Sequence, residues 1–187
     1  MKPPKLFGLL LTVSEIFLFS ACDEIRDLGI APVPVTDIEI EIPAVVPKAS
    51  MRSTFDDKFI SFSSEPVIIH ITDDMFADIA EYLSMIESVK VDSVNIFTVT
   101  QGNISGIVNK LTIESQALDR KVIIPSCTVG SPCSSPALVS FIQAAFDKLI
   151  DNQEIDFSIS GETDLPVKTK MNYIIRIGSV FEINIAS

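Results

Sequence analysis

Over the last third of the chain, apolar and polar residues change places at every step. Ile155, Phe157 and Ile159 form one such run, Val167, Thr169, Met171, Tyr173, Ile175 and Ile177 a second, and Phe181, Ile183 and Ile185 a third. A period of two puts all the apolar side chains of a strand on one face, whereas in a helix it would scatter them around the axis. These segments are therefore predicted to be half-buried strands. Gly178 and Ser179 alone separate the last two runs, the spacing of a two-residue antiparallel hairpin. Near the start, "TDIEIEIPAVV" sets Ile38, Ile40 and Ile42 against Asp37, Glu39 and Glu41. Pro43, which lacks an N–H, ends that strand or confines it to a sheet edge.

Between these ends the pattern changes twice. "KFISFSSEPVIIHIT" reads as two short strands around Pro66. Thr72, Asp73 and Asp74 then make a helix-start signal, acids being favoured at the positive end of the helix dipole. Phe76, Ile79, Ala80, Leu83 and Ile86 follow at helical spacing, and this helix is expected to end near Lys90. Next come a strand in "VDSVNIFTVT", the turn set "QGNISG", an answering strand "IVNKLTIES" and a strand in "RKVIIPS". In "SSPALVSFIQAAFDKLI" Ser135 is the cap, Pro136 occupies the first helical position, and Leu138, Phe141, Ile142, Ala145 and Leu149 form the apolar stripe. The joins between strands are mostly too short for parallel crossovers. The fold class is thus mainly β (α+β): an antiparallel β-sandwich or half-barrel with two packed helices.

The first residues carry a different message. Lys2 and Lys5 head an apolar stretch from Leu6 toward Phe19, and small Ser20 and Ala21 precede Cys22, which is the layout of a signal peptide. The stretch is short for a membrane span of about 20 residues and holds Glu15. Phe19-Ser20-Ala21-Cys22 resembles the lipobox of bacterial lipoproteins, with Phe19 where leucine is usual. That resemblance implies removal of residues 1–21 and acylation of Cys22 as the new N-terminus; the alternative is an ordinary secretory cut near Ala21 that leaves a thiol. Residues 22–35, mixing charge and proline, are expected to be a tether, and residues 36–187 a single β-sandwich-like domain.

Charge and cysteines bound the partners. Without residues 1–21 the chain has 166 residues, enough for one core, and 24 acidic against 12 basic side chains. So acidic a surface repels phosphate backbones, which excludes nucleic acid as a natural partner. With Cys22 given to lipid, Cys127 and Cys133 remain as a pair in "CTVGSPC", expected to be a disulfide loop staple in an oxidising compartment.

The order "DDMFADIAEYLSMIESVKVDSVNIFTV" followed by "SPALVSFIQAAFDKLIDNQEIDFSISGETDLPVKTKMNYIIRIGSVFEINI" resembles small secreted or lipid-anchored β-sandwich proteins of Bacteroidetes-type bacteria, most without an assigned activity. The resemblance implies an envelope location and transfers no active residues.

Chemistry-bearing constellations are sparse. A Ser-His-Asp hydrolase would have to use His70, the single histidine, which lies in the apolar run "PVIIHIT" without a Gly-x-Ser-x-Gly elbow and is expected to be a partly buried structural residue. Asp56 and Asp57, Asp73 and Asp74, Glu65, and Glu162 with Asp164 supply carboxylates, but neighbours in sequence do not make the facing pair of a glycosidase. No twelve-residue calcium loop is present. Without tryptophan, and with only Tyr82 and Tyr173 as tyrosines, the chain offers little aromatic platform for sugars, and its 12 phenylalanines fall mostly on core stripes. No catalytic residue, metal ligand or cofactor is assigned. The expected role is that of a non-enzymatic bacterial envelope lipoprotein, a structural or adhesive protein-interaction module held to the membrane, the outer membrane by preference, through its lipid anchor. It would bind a protein partner through loops such as Gln101 to Gly106 and the staple. The alternative is a carrier of a lipid or other apolar ligand in a cavity between layers, for which 47% hydrophobic composition would provide a lining.

Overall fold

The computed structural model describes residues 29–47 and 58–184. Cys22, the leader, the first part of the tether, Asp56, Asp57 and Ile185 lie outside the described residues. Among the described residues nine strands form two antiparallel sheets. The first sheet has the order β1-β9-β4-β7, with β1 at Ile30–Val45, β9 at Lys170–Asn184, β4 at Ile86–Thr100 and β7 at Pro132–Cys133. The second has the order β2-β8-β5-β6, with β2 at Ile60–Ser63, β8 at Glu154–Thr163, β5 at Ile107–Ser115 and β6 at Arg120–Thr128. β3, Val67–His70, also pairs with β8, so β2 and β3 lie in succession along one flank of that strand. Ser64 bridges the gap before Pro66, donating its N–H to Ile159 O at 2.7 Å and accepting the Ile159 N–H on Oγ at 2.8 Å. The sheets remain separate, which makes the fold a sandwich.

The alternation read from the sequence is the packing pattern. Ile38, Ile40 and Ile42 of β1 face Ile177, Ile175 and Tyr173 of β9 across the ladder, and all six are buried. Each such side chain contributes roughly 1.5–3 kcal/mol on leaving water. Phe62 of β2 stacks on Tyr173, with ring centroids 5.8 Å apart, and so joins the two sheets. An α-helix, α1 (Pro136–Asn152), packs against β4, β8 and β6. Its start is as expected: Pro136 sits in the first turn and Ser135 Oγ accepts the Leu138 N–H at 3.1 Å. Phe141 meets Phe157 of β8 at 6.2 Å, and Phe146 meets Phe181 of β9 at 6.4 Å. The helix thus fills the space between the sheets on that side.

Four expectations are corrected. β9 runs without a break from Lys170 to Asn184, paired on both flanks, so no hairpin occurs at Gly178 and Ser179. The alternation passes through these residues in phase: Ile177, Ser179 and Phe181 are all buried. Glycine serves a close approach instead, because a Cβ on residue 178 would lie 2.8 Å from Ser93 Oγ. Both neighbouring strands bulge opposite it, between Val35 and Ile38 in β1 and between Val91 and Ser93 in β4.

The first helix is shorter and of another kind. Residues Asp74–Met85 form 3₁₀ turns interrupted at Phe76, and Ile86 opens β4 in place of the helix continuing to Lys90. Side chains three apart line up in a 3₁₀ helix, and Phe76, Ile79, Tyr82 and Met85 are that line, the first two fully buried and the others packed on the core. Ala80, expected in the stripe, is exposed. The Asp73 carboxylate points back to accept the His70 N–H at 2.8 Å and caps no helical N–H.

β1 begins at Ile30, six residues before the expected start of the domain, and Ile30 to Val35 pair with Ser179 to Asn184. Pro32, Pro34 and Pro43 are accommodated because β1 is an edge strand with one free flank. Finally, His70 is exposed at the end of β3, its ring 3.7 Å from Glu154 and half open to solvent.

Candidate functional site

The two loops singled out from the sequence come together at one end of the first sheet. The turn after β4 and the loop closed by Cys127 and Cys133 are tied by the Val129 N–H to Gly106 O at 3.0 Å and the Gly130 N–H to Thr98 O at 2.9 Å. The disulfide is formed, with Cα atoms 5.9 Å apart. Gly106 is required by contact, since a Cβ there would stand 2.6 Å from Leu165 Cδ2. Between the loops lies a half-open pocket of about 210 Å³, walled by Thr98, Val99, Thr100, Asn103, Ile104, Ser105, Val129 and Gly130. Its lining is hydroxyl, amide and aliphatic, with no ionisable side chain. Thr100 Oγ1 donates to Ile104 O at 2.9 Å and holds the turn in shape.

A second concavity of about 380 Å³ is bounded by Val99, Thr100, Gln101, Lys170, Met171 and Asn172. Val99, 42% exposed, and Thr100 line both hollows. Thr98 and Asn172 face different hollows yet share a property. Asn172 Oδ1 is a buried side-chain atom without a hydrogen-bond partner among the described residues, and Thr98 Oγ1 is equally buried, with the Tyr173 phenol as its neighbour. Asn172 uses its Nδ2 to donate to Glu41 at 2.8 Å, which leaves Oδ1 as a bare acceptor. Beneath them the Tyr173 phenol is wholly buried and donates to Met171 Sδ at 3.6 Å. Burial pushes its ionisation far up, opposed slightly by the nearby Thr98 hydroxyl, so Tyr173 stays neutral and supplies no acid–base chemistry.

Of the carboxylates noted in the sequence, Asp73, Glu162 and Asp164 serve the scaffold, and so does Asp156, which was not singled out there. Asp156 accepts the Gln116 and Ala117 N–H groups at 2.9 and 2.8 Å, closing the β5–β6 turn. Partial burial raises its pKa, and these donors with the Ser115 hydroxyl outweigh that, leaving the carboxyl below its ordinary range. Glu162 pairs with Lys110 at 3.0 Å, and Asp164 accepts the Ile107 N–H at 2.7 Å. Among the described residues no group of three His, Cys, Asp or Glu side chains converges as a metal site. Tyr173, one of the two tyrosines, is enclosed in the core and is no platform for a sugar.

Both loops were legible from their turn residues and cysteines. Thr98 and Asn172 were not, because a threonine or asparagine in an alternating strand carries no sign of whether its polar atom is satisfied. Comparison with protein-family models, with curated proteins and with solved structures finds no match to this chain.

Proposed function

We propose that the chain is a non-enzymatic lipoprotein of a bacterial envelope, anchored through Cys22 and binding a protein partner through the loops around residues 101–106 and 127–133. The convergence of those loops on one uncharged, half-open pocket carries the binding part of this reading. The lipobox-like "FSAC" carries the address, with the outer membrane as the favoured site on its periplasmic or surface side. The disulfide between Cys127 and Cys133 is in keeping with an oxidising space. The carrier reading would need room between the layers, where Phe62, Tyr173, Phe76, Phe146 and Phe181 pack instead. Co-purified lipid in native mass spectra would favour that reading.

Two measurements test the proposal. The wild-type chain should enter the detergent phase on cloud-point partitioning and carry an acyl mass at Cys22, while Cys22→Ser should remain aqueous; equal partitioning of the two removes the anchor. A photo-crosslinking residue at exposed Ser105 should give a discrete adduct in intact cells that the same residue at Ser158, on the outer face of β8, does not. Identical adduct patterns from both positions remove the loop surface.

A further inference from the structure

β1 is a single strand of 16 residues, and it runs the length of the first sheet. At one end Ile30 pairs with Asn184, beside the start of β4, where Ile86 faces Ile183. At the other end Val45 pairs with Lys170, whose carbonyl accepts the Gln101 N–H. The loops at 101–106 and 129–131 belong to this second end, because Gly130 bonds to Thr98, close to where β4 stops at Thr100. At about 3.3 Å per residue the two ends of β1 are about 45–50 Å apart.

Eight residue steps separate Cys22 from Ile30, and a chain of that length spans at most about 28 Å. Resting on the anchored reading above, we infer that the module stands end-on, with Ile30, Ile86 and Asn184 toward the anchoring bilayer and the two loops at the far end. There they meet a protein that approaches from the aqueous space. The charges keep the module from lying on its side. A side that adheres to a bilayer offers basic and apolar side chains to the headgroups. The outer face of the first sheet carries exposed Glu39 and Glu41, and that of the second carries exposed Glu114. Glu87 and Glu182, exposed at the near end, hold that end off anionic headgroups, while the tether limits the gap. Exposed Lys168 and Lys170 stand at the far end, and attraction to a charged surface decays over a Debye length of about 10 Å at 0.1 M salt.

Energy transfer to lipid tests the stance. The acylated full chain is reconstituted on phosphatidylcholine vesicles with sparse acceptor headgroups, and a fluorescent amino acid replaces either Ser84 or Gln101, exposed residues just beyond the two ends of β4. Transfer from position 84 should exceed that from position 101 by about twofold or more, since the length of β4 separates them. A second pair of exposed sites, Glu87 and Val167, should give the same order if either first label disturbs its surroundings. Replacing one third of the lipid by phosphatidylglycerol should lower transfer from position 84 at low salt, and added sodium chloride should restore it. Equal transfer from both ends, the reverse order, or a rise with phosphatidylglycerol overturns the inference. Any of these in a chain whose detergent partitioning depends on Cys22 leaves the anchor standing and only the stance fallen. Transfer unchanged in Cys22→Ser, or absent in a chain that bears no acyl mass, removes the anchor and the stance with it.

Discussion

At the scale of single residues, Asp156 shows how a carboxylate in an acidic protein can be structural. It takes two backbone N–H groups of the β5–β6 turn and stands opposite the Ser115 hydroxyl at 3.3 Å. Its folded pKa lies below the unfolded value of about 3.9, so the stability it supplies is fully present above that pH and is lost as pH falls through the folded value. Asp156→Ala should cost about 1 kcal/mol at neutral pH, a figure kept low because the group is only partly buried. The gap between variant and wild type in urea midpoints should narrow as pH is lowered from about 5 to 3. A gap that stays constant over that range would show that the contact is packing and not the charge.

At the scale of elements, the free flank of β4 is covered piece by piece. Gln143 of α1 receives the Val91 N–H on Oε1 and donates Nε2 to Val89 O, each at 2.8 Å, so its amide acts as a fragment of a neighbouring strand. Ser134 Oγ donates to Val94 O at 2.6 Å, β7 pairs with Ile96 and Phe97, and Gly130 serves Thr98. An uncovered edge would invite pairing with other chains. Gln143→Ala should cost about 2 kcal/mol, since two partly buried backbone groups lose partners, lowering Tm by about 4–8 °C; an unchanged Tm would mean water replaces the amide freely. Removing the staple with Cys127→Ser and Cys133→Ser should also cost about 2 kcal/mol, the small loop setting the limit. A loss beyond about 4 kcal/mol in denaturant melts would mean that the loop supports more than its own closure. These elements also mark how far the sequence could be read. The strands of alternating Ile38 to Ile42 and Met171 to Ile177, and the Ser135-Pro136 helix start, announce themselves because local preference and burial agree. Residues 76–86 do not, since Phe76 and Ile79 fit periods of 3.0 and 3.6 equally until Tyr82, Met85 and Ala80 decide. Gly178 suggests a turn for the same reason it fits a bulge-flanked strand, namely its missing Cβ. Pro32 and Pro34 hide the first part of β1 because only an edge position tolerates them, and edge position is a property of the whole sheet.

At the scale of the whole molecule, the dominant electrostatic fact is imbalance: 25 acidic against 14 basic side chains, a formal charge of −11. The ion pairs of Lys58 with Asp164, Lys90 with Asp92, Lys110 with Glu162 and Arg176 with Glu39 all have at least one side chain more than half exposed. Exposed pairs contribute about 0.2–1 kcal/mol each and are weakened by salt. The uncompensated acids repel one another across the same surface, and that repulsion is also screened, over a Debye length of about 10 Å at 0.1 M. The two effects have opposite signs, and the excess of acids decides between them: screening removes more repulsion than attraction. Raising sodium chloride from about 0.02 to 0.5 M should therefore raise Tm by a few degrees, chloride being preferred to sulfate so that preferential exclusion does not mimic the effect. Arg176→Ala offers the internal control, because it deletes an attractive pair with Glu39 and a contact 5.0 Å from the Phe97 ring, and so leaves the surface more negative. Its Tm should lie below wild type at low salt and recover part of the difference at high salt. A Tm that falls with salt in the wild-type chain would mean that the few ion pairs outweigh the acidic surplus, and the acidity would then have to be explained by a partner's charge instead of being a cost the fold tolerates.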